Sequence, residues 1–138
     1  MRIFLSQSSA DQWVARQIKV HVVAAGGACF LDTDDIPRQD NFLDRIVEAV
    51  TDCDELLVLL TPSSIERFWI TFEMSCFRFA RKPIVGVLNG LSPAEARRHA
   101  CIEALLDNRT LLDINQLDTY FDELRQRIGA SNANQTNG

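Results

Sequence analysis

Apolar and polar positions fall in blocks along this chain, and the period changes from block to block. Ile3-Phe4-Leu5, closed by Ser6, is an apolar run of strand length. Over residues 12–25, Val14, Ile18 and Val22 recur four apart, the spacing of one helix face. Asp11 stands at that helix's cap position and Gly26-Gly27 at its end. Ala28 to Leu31 reads as a second strand, followed by a polar loop from Asp32 to Asn41. Phe42, Ile46 and Val50 mark a second helix. Leu56 to Leu60 is an unbroken apolar run bounded by Pro62, the pattern of a strand covered on both faces. A third helix is predicted over roughly residues 66–81, stopped by Pro83, and Pro83 to Leu88 is a fourth strand ending at Asn89-Gly90. Ser92-Pro93 opens a fourth helix, cap residue before proline. Thr110 to Ile114 is a short fifth strand, and Leu117, Phe121, Leu124 and Ile128 form the face of a last helix. From Gly129 to Gly138 the apolar residues stop, which predicts a disordered tail or linker after a domain spanning 1–128.

Five β–α units predict an α/β domain: an open, five-stranded parallel sheet of flavodoxin-like order 2-1-3-4-5, with helices on both faces. Ligands of such sheets bind beyond the carboxyl ends of the strands, where the order reverses. The crevice is therefore expected between the loop after strand one (Ser6 to Ala10) and the loop after strand three (Thr61 to Ile65), with the Asp32–Asn41 loop above it.

Composition narrows the chemistry. The 138 residues are 46% hydrophobic and 24% charged, enough apolar material for one core. A net charge of -5 argues against direct nucleic-acid binding, which needs clustered Lys and Arg. The one basic cluster, Arg97-Arg98-His99, reads as a solvated helix face. No segment has the length of a membrane span and the N-terminal run is too short for a signal peptide, so a cytoplasmic protein is expected. Cys29, Cys53, Cys76 and Cys101 lack C-x-x-C spacing and read as reduced, core-packed thiols. The chain has no G-x-G-x-x-G, P-loop or G-x-S-x-G pattern, and His21 and His99 stand apart from any metal-ligand cluster. Asp32, Asp34 and Asp35 read as a solvated loop with Asp caps, a cation site being the alternative.

The informative stretch is Ser64 to Glu73. On a helix, Trp69, Phe72, Cys76 and Ala80 share a face, with Glu73 in the same arc and Phe77 a turn beyond. A carboxylate among aromatics is costly unless it is paired or has a chemical task. Two readings stand side by side: a salt bridge at the rim, to Arg67 or Arg81, or a catalytic group.

Four motifs, in register from about residue 2 to 90, resemble the Toll/interleukin receptor (TIR) domain family. Phe4-Leu5-Ser6-Gln7-Ser8-Ser9-Ala10-Asp11 is similar to its first motif, and Phe30-Leu31-Asp32 through Asp35-Ile36-Pro37 to Phe42 to its second strand and BB loop. Thr61-Pro62-Ser63-Ser64 with Trp69-Ile70-Thr71-Phe72-Glu73 is similar to its Ser-Pro-x-Ser and Trp-Val-x-x-Glu segment, and Pro83-Ile84-Val85-Gly86-Val87 to its Pro-Ile-Ile-Pro-Val strand. The resemblance to NAD-cleaving members, bacterial in type, implies that Glu73 is the catalytic carboxylate and NAD the substrate, with no metal and no further cofactor. It implies that Trp69 and Phe42 help form the nicotinamide–ribose pocket, core packing being the alternative for each. It places Ser6, Ser8 and Ser9 on the loop lining the substrate site, and Asp32 at a motif position ending strand two. The chain departs from the pattern at Gln7, where Tyr is common, at the uncharged Ser8 and Ser9, and at Arg38-Gln39, where a Gly is usual.

One carboxylate suits this chemistry. Nicotinamide leaves NAD as a neutral molecule, so no general acid is needed; the barrier is the oxocarbenium-like ribose, which an adjacent anion stabilises. Geometry sets a condition. If the third helix began at Ser63, Glu73 would lie ~15 Å along its axis, too far from the strand ends. The reading needs an irregular turn to about Phe68. Two functions compete. One is an NAD glycohydrolase or cyclase in immune or anti-phage signalling, switched on by self-assembly, with a sensor or effector domain in the same chain or another. The other is a non-catalytic scaffold working through homotypic TIR–TIR contacts. A phosphoacceptor receiver is set aside, since Leu60-Thr61 stand where its Asp would be.

Overall fold

The apolar runs become five parallel strands, seen in a computed structural model that describes residues 1–33, 42–106 and 111–136. In chain order the elements are β1 (Arg2–Gln7), α1 (Gln12–Ala24), β2 (Ala28–Thr33), α2 (Phe42–Asp52), β3 (Glu55–Leu60), α3 (Phe68–Phe79), β4 (Ile84–Leu88), α4 (Pro93–Arg97), α5 (Ala100–Leu105), β5 (Leu111–Asp113) and α6 (Leu117–Thr136). The sheet order is β2-β1-β3-β4-β5, as the pattern of units predicts. At the end of β1, Ser6 sits opposite Asp32 on one side and Val58 on the other.

Strand alternation splits the interior into two cores. Ile3, Leu5, Leu57 and Leu59 pack with Ala15, Ile18 and Val22 of α1 and Leu117, Phe121 and Leu124 of α6. Phe4, Leu56, Val58 and Leu60 pack on the other face with Ile46, Ile70, Met74, Phe77 and Ile102. Every residue of β3 is buried, which is why that strand lacks a polar alternation. Gly26 closes α1 at φ +99, a backbone conformation costly for a residue with Cβ, and the Gly27 amide returns to the Val22 carbonyl at 3.1 Å.

The fold departs from the sequence pattern in several places. Asp11 precedes α1 but makes no side-chain cap bond. The fourth helix is two short ones, so Arg97-Arg98-His99 straddles a break instead of lying on one helix face. Cys29 and Cys53 are buried, whereas Cys101 is exposed and Cys76 partly so. α6 does not stop at Gly129 but runs to Thr136, where a disordered tail was expected. Residues 129–134 are exposed. Adding a turn to a helix already nucleated by buried residues needs no apolar contact of its own.

α6 is tied to the sheet by a buried carboxylate. Glu55, 3% exposed at the start of β3, accepts a short hydrogen bond from the Tyr120 hydroxyl and another from Arg127 Nη1 at 3.1 Å. Burial, then the Glu55 charge, push the Tyr120 phenol well above its ordinary 10.0, and burial pushes the Cys29 thiol from 9.0 to about 12. Both groups ionise in the unfolded chain before the folded one. Their stabilisation is therefore complete below about pH 9 and is lost as pH climbs through the raised folded values. We expect the urea midpoint to be level from pH 7 to about 8.5 and to fall steadily above it, with Tyr120→Phe flattening part of that fall while costing about 1–3 kcal/mol at pH 7. A midpoint unchanged at pH 10.5 would contradict this assignment.

Candidate active site

The crevice side of the sheet is built around an unusual turn. Leaving β3, Thr61 and Ser64 bond reciprocally: the Thr61 amide donates to Ser64 Oγ at 2.9 Å, and the Ser63 and Ser64 amides donate to Thr61 Oγ1 at 3.2 Å. Ser64 Oγ also donates to the Leu59 carbonyl at 2.7 Å. These side chains take the backbone groups that a helix would otherwise use, and α3 starts only at Phe68. Glu73 is then about 7.5 Å along the helix axis instead of ~15 Å.

α3 runs back across β1, and two contacts set its register. Phe77 stacks on Phe4, with ring centroids 5.8 Å apart. One helical turn earlier, Ser6 Oγ donates to Glu73 Oε1 at 2.7 Å. Phe4 and Ser6 share a strand face, as Glu73 and Phe77 share a helix stripe. Glu73 is 0% exposed, as is Ser6, so it is not a group at a solvent rim. Arg81 lies past the end of α3, eight residues beyond Glu73, with its backbone at φ +58.

The buried stripe of α3 is Ile70, Glu73, Met74 and Phe77; of the face read from spacing, Glu73 and Phe77 are buried, Trp69, Phe72 and Cys76 are only partly so, and Ala80 is exposed. Trp69 and Phe72 are partly buried beside it and stack on each other at 5.6 Å. The Cys76 thiol is pushed up, by burial first and by the neighbouring Glu73 charge second. Ser8 is buried and its hydroxyl donates to Asp11 Oδ2 at 3.0 Å, while Ser9 is half-buried in a short 3-10 turn, Ser9–Asp11. The structure thus brings Ser6, Ser8, Ser9, Trp69 and Glu73 to one end of the sheet. Asp32 is the last residue but one of β2 and Phe42 begins α2, but their side chains, with all of residues 34–41 and so the Asp34-Asp35 alternative, lie outside the described residues. Asp11 and Thr61 also stand at this end of the sheet; each lies in one of the TIR-like motifs, but neither carries a site role from sequence, where Asp11 has only that of a helix cap.

A groove of about 270 Å³ opens elsewhere, between α2 and edge strand β2, lined by Arg2, Phe30, Arg45 and Glu48 among others. It reaches the amino ends of the strands and does not include Glu73. Among the described residues no three His, Cys, Asp or Glu side chains gather as metal ligands, and no helix is long and apolar enough to cross a membrane.

Comparison with known proteins places this geometry. The family model described as "TIR domain" matches residues 3–128. Among solved structures, the TIR domains of the activated Roq1 resistosome, which recognises the pathogen effector XopQ, superpose with a TM-score of 0.60 at 15% identity, covering 91% of this chain and 79% of that one. A metazoan TIR-STING receptor from C. gigas gives 0.50 at 24% identity, over 76% of this chain and 40% of that one. A flavodoxin-like domain from Synechococcus sp. gives 0.58 at 14% identity, over 94% and 99%. At these identities the structural likenesses establish the fold. No curated protein matches the sequence.

Proposed function

Because the chain belongs to the TIR domain family, whose model spans residues 3–128, we propose that it cleaves the nicotinamide–ribose bond of NAD, with Glu73 as the catalytic carboxylate. The observation that carries this reading is a fully buried carboxylate, on the third helix, held by the first strand at the sheet's switch point. Bond breaking sends the electron pair of the C1′–N bond to the pyridinium, so nicotinamide leaves neutral and the ribose becomes an oxocarbenium-like cation. Glu73 stabilises that cation electrostatically. Water then adds at C1′ and loses a proton to give ADP-ribose, or a nitrogen of the same molecule's adenine adds to give a cyclic isomer. Ser6 fixes one carboxylate oxygen and leaves the group's direction set before substrate arrives. Trp69, with Ser9, Asp32 and Phe42, is assigned to the substrate walls, and Ser8 acts through its bond to Asp11.

Glu73 is closed off from solvent in this conformation, so turnover requires its covering walls to part. Activation by self-assembly accounts for that, as a contact between copies can favour the open state. Exposed Trp13 (71%) and Phe79 (89%) are apolar residues of the kind such contacts bury. They equally favour the second reading, a TIR scaffold without chemistry. The setting we propose is cytoplasmic immune or anti-phage signalling, with a sensor or effector domain in this chain or another.

The deciding experiment is incubation with NAD under crowding, with the products resolved. Nicotinamide should be released together with ADP-ribose or a cyclic isomer, and Ser6→Ala should slow release about 10- to 100-fold, the loss of a hydrogen bond to a charged group. NAD left intact under every assembling condition would leave the scaffold.

A further inference from the structure

We infer that Asp11 is a positioning residue of this site, a clamp between the loops after β1 and β3; the inference rests on the NAD-cleaving reading for its catalytic consequence only. An Asp just before a helix ordinarily accepts from the backbone amides of the first turn. Asp11 makes no such bond. Its Oδ2 instead accepts from Ser8 Oγ at 3.0 Å and, across the crevice, from Thr61 Oγ1 at 2.5 Å, 50 residues away. Both are charge-assisted, the stronger class of hydrogen bond. A local cap has been exchanged for a cross-link between the two loops that diverge at the switch point.

The bonds close a ring. Thr61 Oγ1, donating to Asp11, accepts the Ser63 and Ser64 amides and so orders the turn that delays α3. α3 carries Glu73 back to Ser6. Ser6 lies two residues before Ser8, which returns to Asp11. Glu73 is thereby held from both sides: through β1, and through the start of its own helix. Asp11 touches none of the reacting atoms in this scheme. It acts through the separation and register of the two loops.

The test uses the full chain with NAD as probe. Thr61→Val keeps the side-chain shape and removes the hydroxyl, both the donor to Asp11 and the acceptor of the Ser63 and Ser64 amides; Asp11→Ala removes the acceptor alone; Thr61→Ser restores the hydroxyl. Asp11→Ala should lower kcat about tenfold and Thr61→Val at least as much, with KM changed less than twofold; the double variant should be no slower than Thr61→Val, and Thr61→Ser should recover wild-type kcat. Folded Thr61→Val with unchanged kcat, or losses that multiply in the double variant, would overturn the clamp. Amide hydrogen exchange keeps the question separate from the reaction. Asp11→Ala should speed exchange at residues 61–68 whether or not the protein turns NAD over, and unchanged protection there would sink the clamp even in an active enzyme. Asp11→Asn, which keeps a carbonyl acceptor, serves if Asp11→Ala does not fold.

Discussion

Glu73→Gln should abolish nicotinamide release, lowering kcat by about 10³-fold or more, ~4 kcal/mol of lost transition-state stabilisation, while leaving the domain folded and no less stable. The two halves of this expectation come from the same fact. Glu73 is 0% exposed and sits beside Met74, Phe77 and Ile70, themselves at 0%. An ionised carboxylate there carries a desolvation cost of several kcal/mol that a structural role alone does not require. Glutamine keeps a carbonyl oxygen where Glu73 Oε1 accepts from Ser6, fills nearly the same volume and removes the charge. The thermal midpoint should hold or rise, as happens when a group retained for chemistry is neutralised. Paired calorimetry and product analysis on wild type and variant decide it. A Glu73→Gln protein that unfolds, or one that still releases nicotinamide at the wild-type rate, would remove the carboxylate from the mechanism.

Phe77→Ala should have the largest effect on stability, about 3–5 kcal/mol, from lost transfer energy and the cavity left behind. For a domain of this size that lowers the thermal midpoint on the order of 10–20 °C. Phe77 is fully buried, stacked on Phe4 with planes 20° apart, in the core shared by β1, β3 and α3. Phe79, two residues on, is 89% exposed, and Phe79→Ala should stay within about ±0.5 kcal/mol. Urea denaturation of the two variants makes the comparison internal to one helix. Similar costs at both positions would mean that α3 packs on another face. A milder change, Phe77→Leu, should shift kcat by more than its stability cost suggests, because the Phe4–Phe77 stack sets the register that brings Ser6 to Glu73.

The fold was legible because each segment's period matched its final state. β3 could be read from Leu56-Leu57-Val58-Leu59-Leu60 because a strand covered on both faces has no polar alternation to hide it. α1 could be read from Val14, Ile18 and Val22: Ile18 and Val22 are buried with Ala15, and Val14 packs partly buried beside them. α3 was harder. Trp69, Phe72 and Cys76 and the alternative Ile70, Met74 and Phe77 are both apolar series at helical spacing. Periodicity cannot choose between two such stripes; the contact with Phe4 does. Asp11 misled for a related reason. Its place before a helix is that of a cap, and only the folded sheet puts Thr61 within reach. α6 continues past Gly129 without large apolar residues to signal it, because extending a helix already formed needs no burial of its own.

By itself the chain's amino-acid order determined that five strands and their intervening helices would form, and that Glu73 would ride the third helix, because those outcomes depend on local periods and turn residues. Tertiary structure alone decided which stripe of α3 turns inward, which hydroxyl meets the carboxylate, and that Asp11 bonds across the crevice instead of along its own helix. Those choices join residues 50 or more positions apart, and pairings at that separation are set by packing two cores onto one sheet, not by any pattern within a single segment.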